Sequence, residues 1–126
     1  MFNVKEWSGS SHSQVSALFN STARRPAFFR PPAGLRSPLL DPILTRLDLL
    51  LASWTRRGFD SVNRDAESVF ARLASGLGAG DILLLHDGHA ARTRAGTPVI
   101  LEVLPRLLDA FAQSGLKPVR LSAALA

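Results

Sequence analysis

The 126-residue sequence contains no cysteine, which excludes disulfide bonds and thiolate metal sites. It also lacks a long apolar run, because the segment from Leu47 to Trp54 is interrupted by Asp48 and is too short to span a bilayer. Residues 1–10 include Lys5 and Glu6 and hold no apolar core. We therefore expect no secretory signal, no membrane partner and, for the sequence as written, a cytoplasmic location.

Acidic residues are in the minority, with 10 Asp and Glu against 15 Lys and Arg, for a net charge of +5. A basic balance can indicate a nucleic-acid partner. Here, however, no basic run is longer than two residues, and the aromatic residues are not interleaved with the arginines in a way that suggests a base-stacking platform. We therefore predict a solvated basic surface and no nucleic-acid partner. Hydrophobic residues make up 46% of the chain, enough for a packed core.

Apolar and polar residues alternate in a pattern that predicts short strands separated by helices. Residues 1–23 are interpreted as a divergent tail that could form a short helix over residues 15–23, and residues 24–126 as the folded part. Predicted strands cover residues 27–29, 47–54, 81–85 and 118–121, the second being apolar enough for burial on both faces. Residues 55–61 are predicted to be a polar loop. Predicted helices begin behind caps at Ser37, Asn63 and Thr97, and Gly115 ends the last of them.

This alternation predicts an α/β fold with a parallel sheet and crossover helices, either open or part of a barrel. Functional loops in such folds follow the carboxyl ends of the strands. Three polar residues lie at those positions: Arg30, Asp60 and His86.

Each of these residues has a functional and a structural interpretation. His86 could act as a general acid or could bind a loop carbonyl, and together with Asp87 and His89 it could ligate a metal. Asp60 could be catalytic or could favour a helix N-terminus. Arg30 could hold an anionic group or lie solvated on the surface. Trp54 could contact sugar or pack in the core.

Three motifs in order resemble those of one enzyme family. They are Phe29–Gly34 (FRPPAG), the segment from Trp54 to Asp60, and Gly80–Asp87 (GDILLLHD). From residue 24 onward the chain is similar to the C-terminal part of the NodB-type polysaccharide deacetylases, also called carbohydrate esterase family 4. The resemblance implies the C-terminal portion of a distorted, incomplete (β/α) barrel.

The resemblance also implies roles in hydrolysis of N-acetyl groups. His86 would be the general acid that protonates the leaving amine, Asp60 would tune its charge, and Arg30 would hold the catalytic base. Leu84 would line the pocket for the acetyl methyl group and the backbone amide of Ala33 would stabilise the oxyanion, with Trp54 at the sugar-binding surface.

The sequence departs from the family pattern in what it lacks. The family's threonine-phenylalanine-aspartate-aspartate-glycine motif and its pair of metal-binding histidines do not occur here, and Ser61 stands where many members have tryptophan. The divalent metal that the family implies, zinc, would have no ligands in this chain.

We therefore expect a deacetylase-like chain that is inactive alone, being truncated or split. Its expected partners are an N-acetylated carbohydrate and a second chain that supplies the missing N-terminal half. The alternative is a non-catalytic carbohydrate-binding module. Exposed inner surfaces should make the isolated chain poorly soluble.

Overall fold

The computed structural model describes residues 25–124. Four strands have two residues each: β1 (Phe28–Phe29), β2 (Leu50–Leu51), β3 (Arg56–Arg57) and β4 (Leu83–Leu84). Four helices are α1 (Leu40–Leu47), α2 (Ala66–Ala74), α3 (Val99–Gln113) and α4 (Leu121–Ala124), and a 3₁₀ turn covers Pro32–Gly34. The predicted helix over residues 15–23 lies outside the described residues.

The chain divides into two compact units, whose described parts are residues 25–53 and 54–124. In the first unit, β1 pairs with β2 in parallel, with Phe28 opposite Leu50. Helix α1 connects the two strands. Its buried residues Leu44 and Leu47 form a small core with Leu49.

The second unit repeats this strand–helix–strand order with a larger core. β3 and β4 are parallel, with Arg56 opposite Leu83 and Arg57 opposite Leu84, and α2 connects them. Helix α2 packs against α3 through side chains that are 0% exposed. These side chains are Val69, Leu73, Val99, Val103 and Leu107. The close packing of these side chains determines which face of α2 lies against β3 and against the loop that follows β3.

The predicted parallel pairing with crossover helices is confirmed by both strand pairs. The barrel that the resemblance implies stays a prediction. No helix in residues 25–124 combines the length and apolar character that a membrane crossing requires.

The prediction of a loop over residues 55–61 was wrong at Arg56 and Arg57, which form β3. Backbone pairing decides this, because the amides of Thr55 and Arg56 both donate to the carbonyl of Ile82. The last predicted strand, over residues 118–121, was also wrong. No strand forms there, and helix α4 begins at Leu121.

The predicted strand over residues 47–54 was too long. Leu47 is the last residue of α1, and Asp48 follows in the left-handed region with φ 54°. Only Leu50 and Leu51 pair as a strand. Leu50 is 57% exposed, so the expected burial on both faces was wrong.

Helix starts lie two or three residues beyond the predicted caps. Asp65, rather than Asn63, caps α2 by accepting a hydrogen bond from the Glu67 amide. Helix α1 starts at Leu40, and Ser37 only accepts from the amide of Leu39 in the preceding turn. Pro98 rather than Thr97 precedes α3. The predicted end of that helix is confirmed, since Gly115 has φ +67° just beyond it.

Candidate functional site

The site begins with the parallel pairing of β3 and β4. Asp60 lies three residues after β3, and His86 lies two residues after β4. Because the carboxyl ends of neighbouring parallel strands meet at one edge, the two residues reach the same place from distant positions in the sequence.

The Asp60 carboxylate binds His86 through both of its oxygens. Oδ1 lies 2.9 Å from Nδ1 of the imidazole, and Oδ2 accepts a hydrogen bond of 2.7 Å from the His86 backbone amide. Asp60 is 0% exposed, whereas the His86 side chain is 33% exposed. A fully buried carboxylate therefore holds one edge of a ring that is partly exposed to solvent.

This contact selects the histidine tautomer. An ionised carboxylate only accepts hydrogen bonds, so Nδ1 must carry the proton that lies between the two groups. Nε2 is then the ring nitrogen available for proton exchange with another molecule. Such a pair can protonate a leaving group from Nε2 while the carboxylate stabilises the imidazolium form and keeps the ring oriented.

The backbone around Asp60 is also held in place. Its carbonyl accepts a hydrogen bond of 2.7 Å from the amide of Ala91, which comes from the loop before α3. Asp60 therefore contacts two segments that follow β4. Its side chain binds His86, and its main-chain carbonyl binds the amide of Ala91.

The described residues do not provide a site for the divalent metal. No group of three His, Cys, Asp or Glu within residues 25–124 has the arrangement to hold an ion. The alternative of a metal bound by His86, Asp87 and His89 is contradicted by this finding. Nδ1 of His86 is already engaged by Asp60, while Asp87 and His89 are exposed. Zinc therefore does not fit the donor set of the described residues.

Two other predicted residues lie in the same unit as the pair. Leu84 is buried in β4, two positions before His86. Trp54 is partly buried, and the guanidinium of Arg57 lies 5.7 Å from the centroid of its ring. These positions leave the predicted contacts with acetyl and sugar groups untested.

Arg30 and Ala33 lie in the other unit, on the segment that follows β1. Both are exposed, and Ala33 has φ 53° within the 3₁₀ turn. Their predicted roles, in holding a base and in stabilising an oxyanion, stay predictions.

A second polar network, which the sequence did not reveal, lies at the beginning of β3 and β4. Nε of Arg56 is 2.5 Å from Oδ2 of Asp81, and the hydroxyl of Thr55 donates to Oδ1 at 2.7 Å. The Arg56 guanidinium also donates to the carbonyls of Ser75 and Gly76. The hydrogen bond from Arg56, followed by that from Thr55, lowers the pKa of Asp81 from 3.8 to about 2. No short sequence motif predicts this network, since Arg56 and Asp81 are 25 residues apart.

An open depression of about 1000 Å³ lies elsewhere in the same unit. Neither Asp60 nor His86 lines it, so the volume of a cavity does not identify the candidate site. Its lining is formed by Asn63, Arg64, Asp65, Ala66, Thr93, Arg94 and Glu102.

With this geometry established, comparison with solved structures places the fold in a class. No family profile matches the sequence, and no curated protein matches it. Solved structures do match, and among them are a family 4 carbohydrate esterase and a peptidoglycan deacetylase. The fold is therefore of the polysaccharide deacetylase type, as the motifs predicted.

Two of these structures give the extent of the similarity. A family 4 carbohydrate esterase from Streptomyces lividans, in complex with acetate, has 23% identity and a TM-score of 0.71 over 86% of this chain. The peptidoglycan deacetylase PdaC from Bacillus subtilis has 21% identity and a TM-score of 0.64 over 90%. The chain spans about half the length of each, 52% and 50%. At these identities the likeness concerns the fold alone.

Proposed function

We propose that this chain supplies the proton-donating part of an active site that removes N-acetyl groups from carbohydrate. The observation that carries the proposal is the His86–Asp60 contact, in which both carboxylate oxygens of a fully buried aspartate bind one histidine. The fold similarity to family 4 carbohydrate esterases and a peptidoglycan deacetylase supports the substrate class.

The chemistry assigned to His86 is one proton transfer. When the bond between the acetyl carbon and the sugar nitrogen breaks, the nitrogen leaves as a poor, basic leaving group. Protonation by Nε2 of the imidazolium lets it depart as a neutral amine. Asp60 accepts the hydrogen bond from Nδ1 throughout this step, so the ring does not rotate away from the leaving nitrogen.

The residues that would activate water are not among those described. We propose that they come from a second polypeptide or from a segment of the protein that is not among these 126 residues, and that the 126-residue chain is inactive alone. Leu84 is proposed to contact the acetyl methyl group. Arg30 and the amide of Ala33 are proposed to act on the base and the oxyanion.

The alternative of a non-catalytic sugar-binding module has weaker support. Its main candidate residue, Trp54, is partly buried and has Arg57 near its ring, an arrangement that favours packing within the chain. Saturable binding of a chitin oligomer by the chain, with no acetate release in any setting, would favour this alternative.

A chimera tests the proposal directly. Residues 24–126 replace the matching half of the Streptomyces lividans esterase, and acetate release from an N-acetylated chitin oligomer is measured with zinc present. We expect the chimera to turn over and the isolated chain not to. His86→Gln should lower the chimera's rate by about 10²- to 10⁴-fold, the usual contribution of a general acid.

His89→Gln is the matched control, because His89 is exposed and lies only three residues further along the chain. It should leave the rate of the chimera unchanged. A folded but inactive chimera, equal losses from the two histidine variants, or chelator-sensitive turnover by the isolated chain would each contradict the proposal.

A further inference from the structure

The residue before Asp60 has an unusual backbone. Phe59 has φ 60°, in the left-handed region that bulky side chains rarely occupy. Such conformations persist where the surrounding structure enforces them, and they are concentrated at functional sites. The question is therefore what holds Phe59 in this conformation and what the conformation achieves.

Two guanidinium groups lie in cation–π contact with the Phe59 ring. The guanidinium carbon of Arg57, from β3, lies 4.4 Å from the ring centroid, and that of Arg72, from α2, lies 5.6 Å from it. Nε of Arg57 is buried without a hydrogen-bond partner among the described residues. The cation–π contacts that the Arg57 guanidinium makes with Phe59 and Trp54 therefore favour the buried position of Nε.

Main-chain contacts fix the same segment on both sides of the ring. Gly58 lies so close to α2 that a Cβ there would be 2.8 Å from Cγ1 of Val69. The Phe59 carbonyl accepts from the amide of Asn63 at 2.8 Å, and the Asp60 carbonyl accepts from the amide of Ala91. These contacts restrict the backbone at residues 58–60, so the φ and ψ angles of Phe59 are the torsions that can still change.

The direction of the Asp60 side chain depends on those torsions. A residue in the left-handed region turns the chain sharply, so a change from the left-handed to an extended backbone at Phe59 would redirect the carboxylate. Asp60 must meet both the ring nitrogen and the amide of His86, a contact that tolerates little rotation.

We propose that Phe59, in cation–π contact with Arg57 and Arg72, is a positioning residue that aims the Asp60 carboxylate at His86. The inference builds on the proposed role of His86, but it concerns the geometry of the pair and can be tested without turnover. The ring acts through Asp60 and touches no substrate.

The test measures the His86 imidazole by NMR in the full 126-residue chain with ¹⁵N-labelled histidine. Spectra are taken over a series of pH values, and the neutral tautomer is read where the imidazole signals no longer change as the pH rises. The wild-type chain should show a single tautomer protonated at Nδ1, with slow exchange of that proton. Phe59→Leu keeps apolar bulk but removes the π face, and it should increase proton exchange roughly tenfold with mixed tautomers.

Three further variants separate the causes. Phe59→Trp restores a π face and should recover the wild-type signals. Phe59→Gly accepts the left-handed backbone without strain but lacks the ring, and it should lose the single tautomer. Val62→Ala, at a residue that is 73% exposed in the same turn, is the matched control and should change nothing.

The inference is overturned if Phe59→Leu and Phe59→Gly both keep the wild-type tautomer and exchange rate. Should either fail to fold, Arg72→Gln decides, because it changes an exposed residue of α2. Faster exchange of the Nδ1 proton supports the inference, and unchanged exchange refutes it. An inactive chimera with the His86 signals intact would refute the proposed function and leave this inference standing.

Discussion

At the scale of single residues, the candidate site depends on one buried carboxylate and one partly exposed ring. Asp60 is 0% exposed and has no other side-chain partner than His86 among the described residues. Burying a charged group is costly unless it is paired and hydrogen-bonded. The His86 ring and amide together provide that compensation, which explains how an ionised group can occupy this position.

The glycine that precedes this pair has a packing role that can be measured. Val69 and Leu73 are 0% exposed and lie within about 3 Å of where a Cβ at Gly58 would stand, the two distances being 2.8 and 3.0 Å. Since neither side chain has free space to move into, Gly58→Ala should lower the free energy of unfolding by about 1–3 kcal/mol. Urea denaturation of the purified chain measures the change.

Gly78→Ala is the matched control, because nothing lies within 4 Å of a Cβ at Gly78 and its φ is not positive. It should be neutral or should stabilise the chain by up to about 1 kcal/mol through the unfolded state. Equal effects of the two alanine variants would contradict the packing argument.

At the scale of elements, β3 and β4 are linked at both ends. The Arg56–Asp81 ion pair links their beginnings, and the Asp60–His86 contact links the segments that follow them. Arg56 links β3 to Asp81 before β4 and to the turn after α2, through the carbonyls of Ser75 and Gly76. The Asp81 side chain is 18% exposed, so solvent weakens the ion pair only in part. The network fixes the register in which the two short strands meet.

Acid should break the ion pair between Arg56 and Asp81. The pKa of Asp81 is lowered from 3.8 to about 2, first by the hydrogen bond from Arg56. A lowered pKa means that the unfolded chain binds the proton more readily than the folded one. The contribution of Asp81 to stability is therefore complete above pH 3.8 and is lost as the pH falls through about 2.

Asp81→Asn tests this dependence by urea denaturation at a series of pH values. The variant should be less stable than wild type at neutral pH, and the difference should shrink as the pH falls from about 4 toward 2. Asp109→Asn, at an exposed residue of α3, is the control and should keep the wild-type pH dependence. A difference for Asp81→Asn that stays constant across this range would contradict the assignment.

At the scale of the whole molecule, the chain exposes apolar side chains that folded proteins usually cover. Leu50 belongs to a parallel strand pair yet is 57% exposed, whereas parallel sheets are ordinarily covered on both faces. In α3, Leu101, Leu104 and Leu108 are 60%, 40% and 47% exposed. The chain also spans about half the length of the carbohydrate esterase and of the peptidoglycan deacetylase whose fold it shares, 52% and 50%.

Such a chain should self-associate at micromolar concentration when it is alone. Light scattering after size-exclusion chromatography should give a mass that rises with loading. Leu101→Gln removes one exposed apolar side chain of α3 and should reduce this rise. Ala71→Gln, at an exposed position of α2, is the control. A monodisperse monomer with a cooperative thermal transition would contradict the expectation.

Sequence reasoning located the two residues of the candidate pair and failed on the strands that bring them together. Asp60 and His86 were predicted from their positions after strands, and in the structure the two residues are hydrogen-bonded to each other. β3 was missed because Arg56 and Arg57 have no strand-like apolar pattern, and only pairing with Leu83 and Leu84 makes them a strand. Strands of two residues are too short for periodicity to define.

Local chemistry predicted where α3 ends, but not which of its apolar residues are buried. The stop at Gly115 was predictable, because a left-handed backbone there strongly favours glycine. Val99, Val103 and Leu107 are 0% exposed, but Leu104 and Leu108 are not covered. Which apolar residues are buried depends on where α2 lies.

The amino-acid sequence by itself determined the approximate positions of helices α1 to α3, the parallel pairing of strands that a helix connects, and Asp60 and His86 as candidate residues. These depend on residue type and order along the chain. Tertiary structure alone decided that both oxygens of Asp60 bind His86, that Phe59 adopts a left-handed backbone in contact with two arginines, and that Arg56 reaches Asp81. Those contacts join residues that are far apart in sequence, so packing of the elements had to bring them within hydrogen-bonding distance.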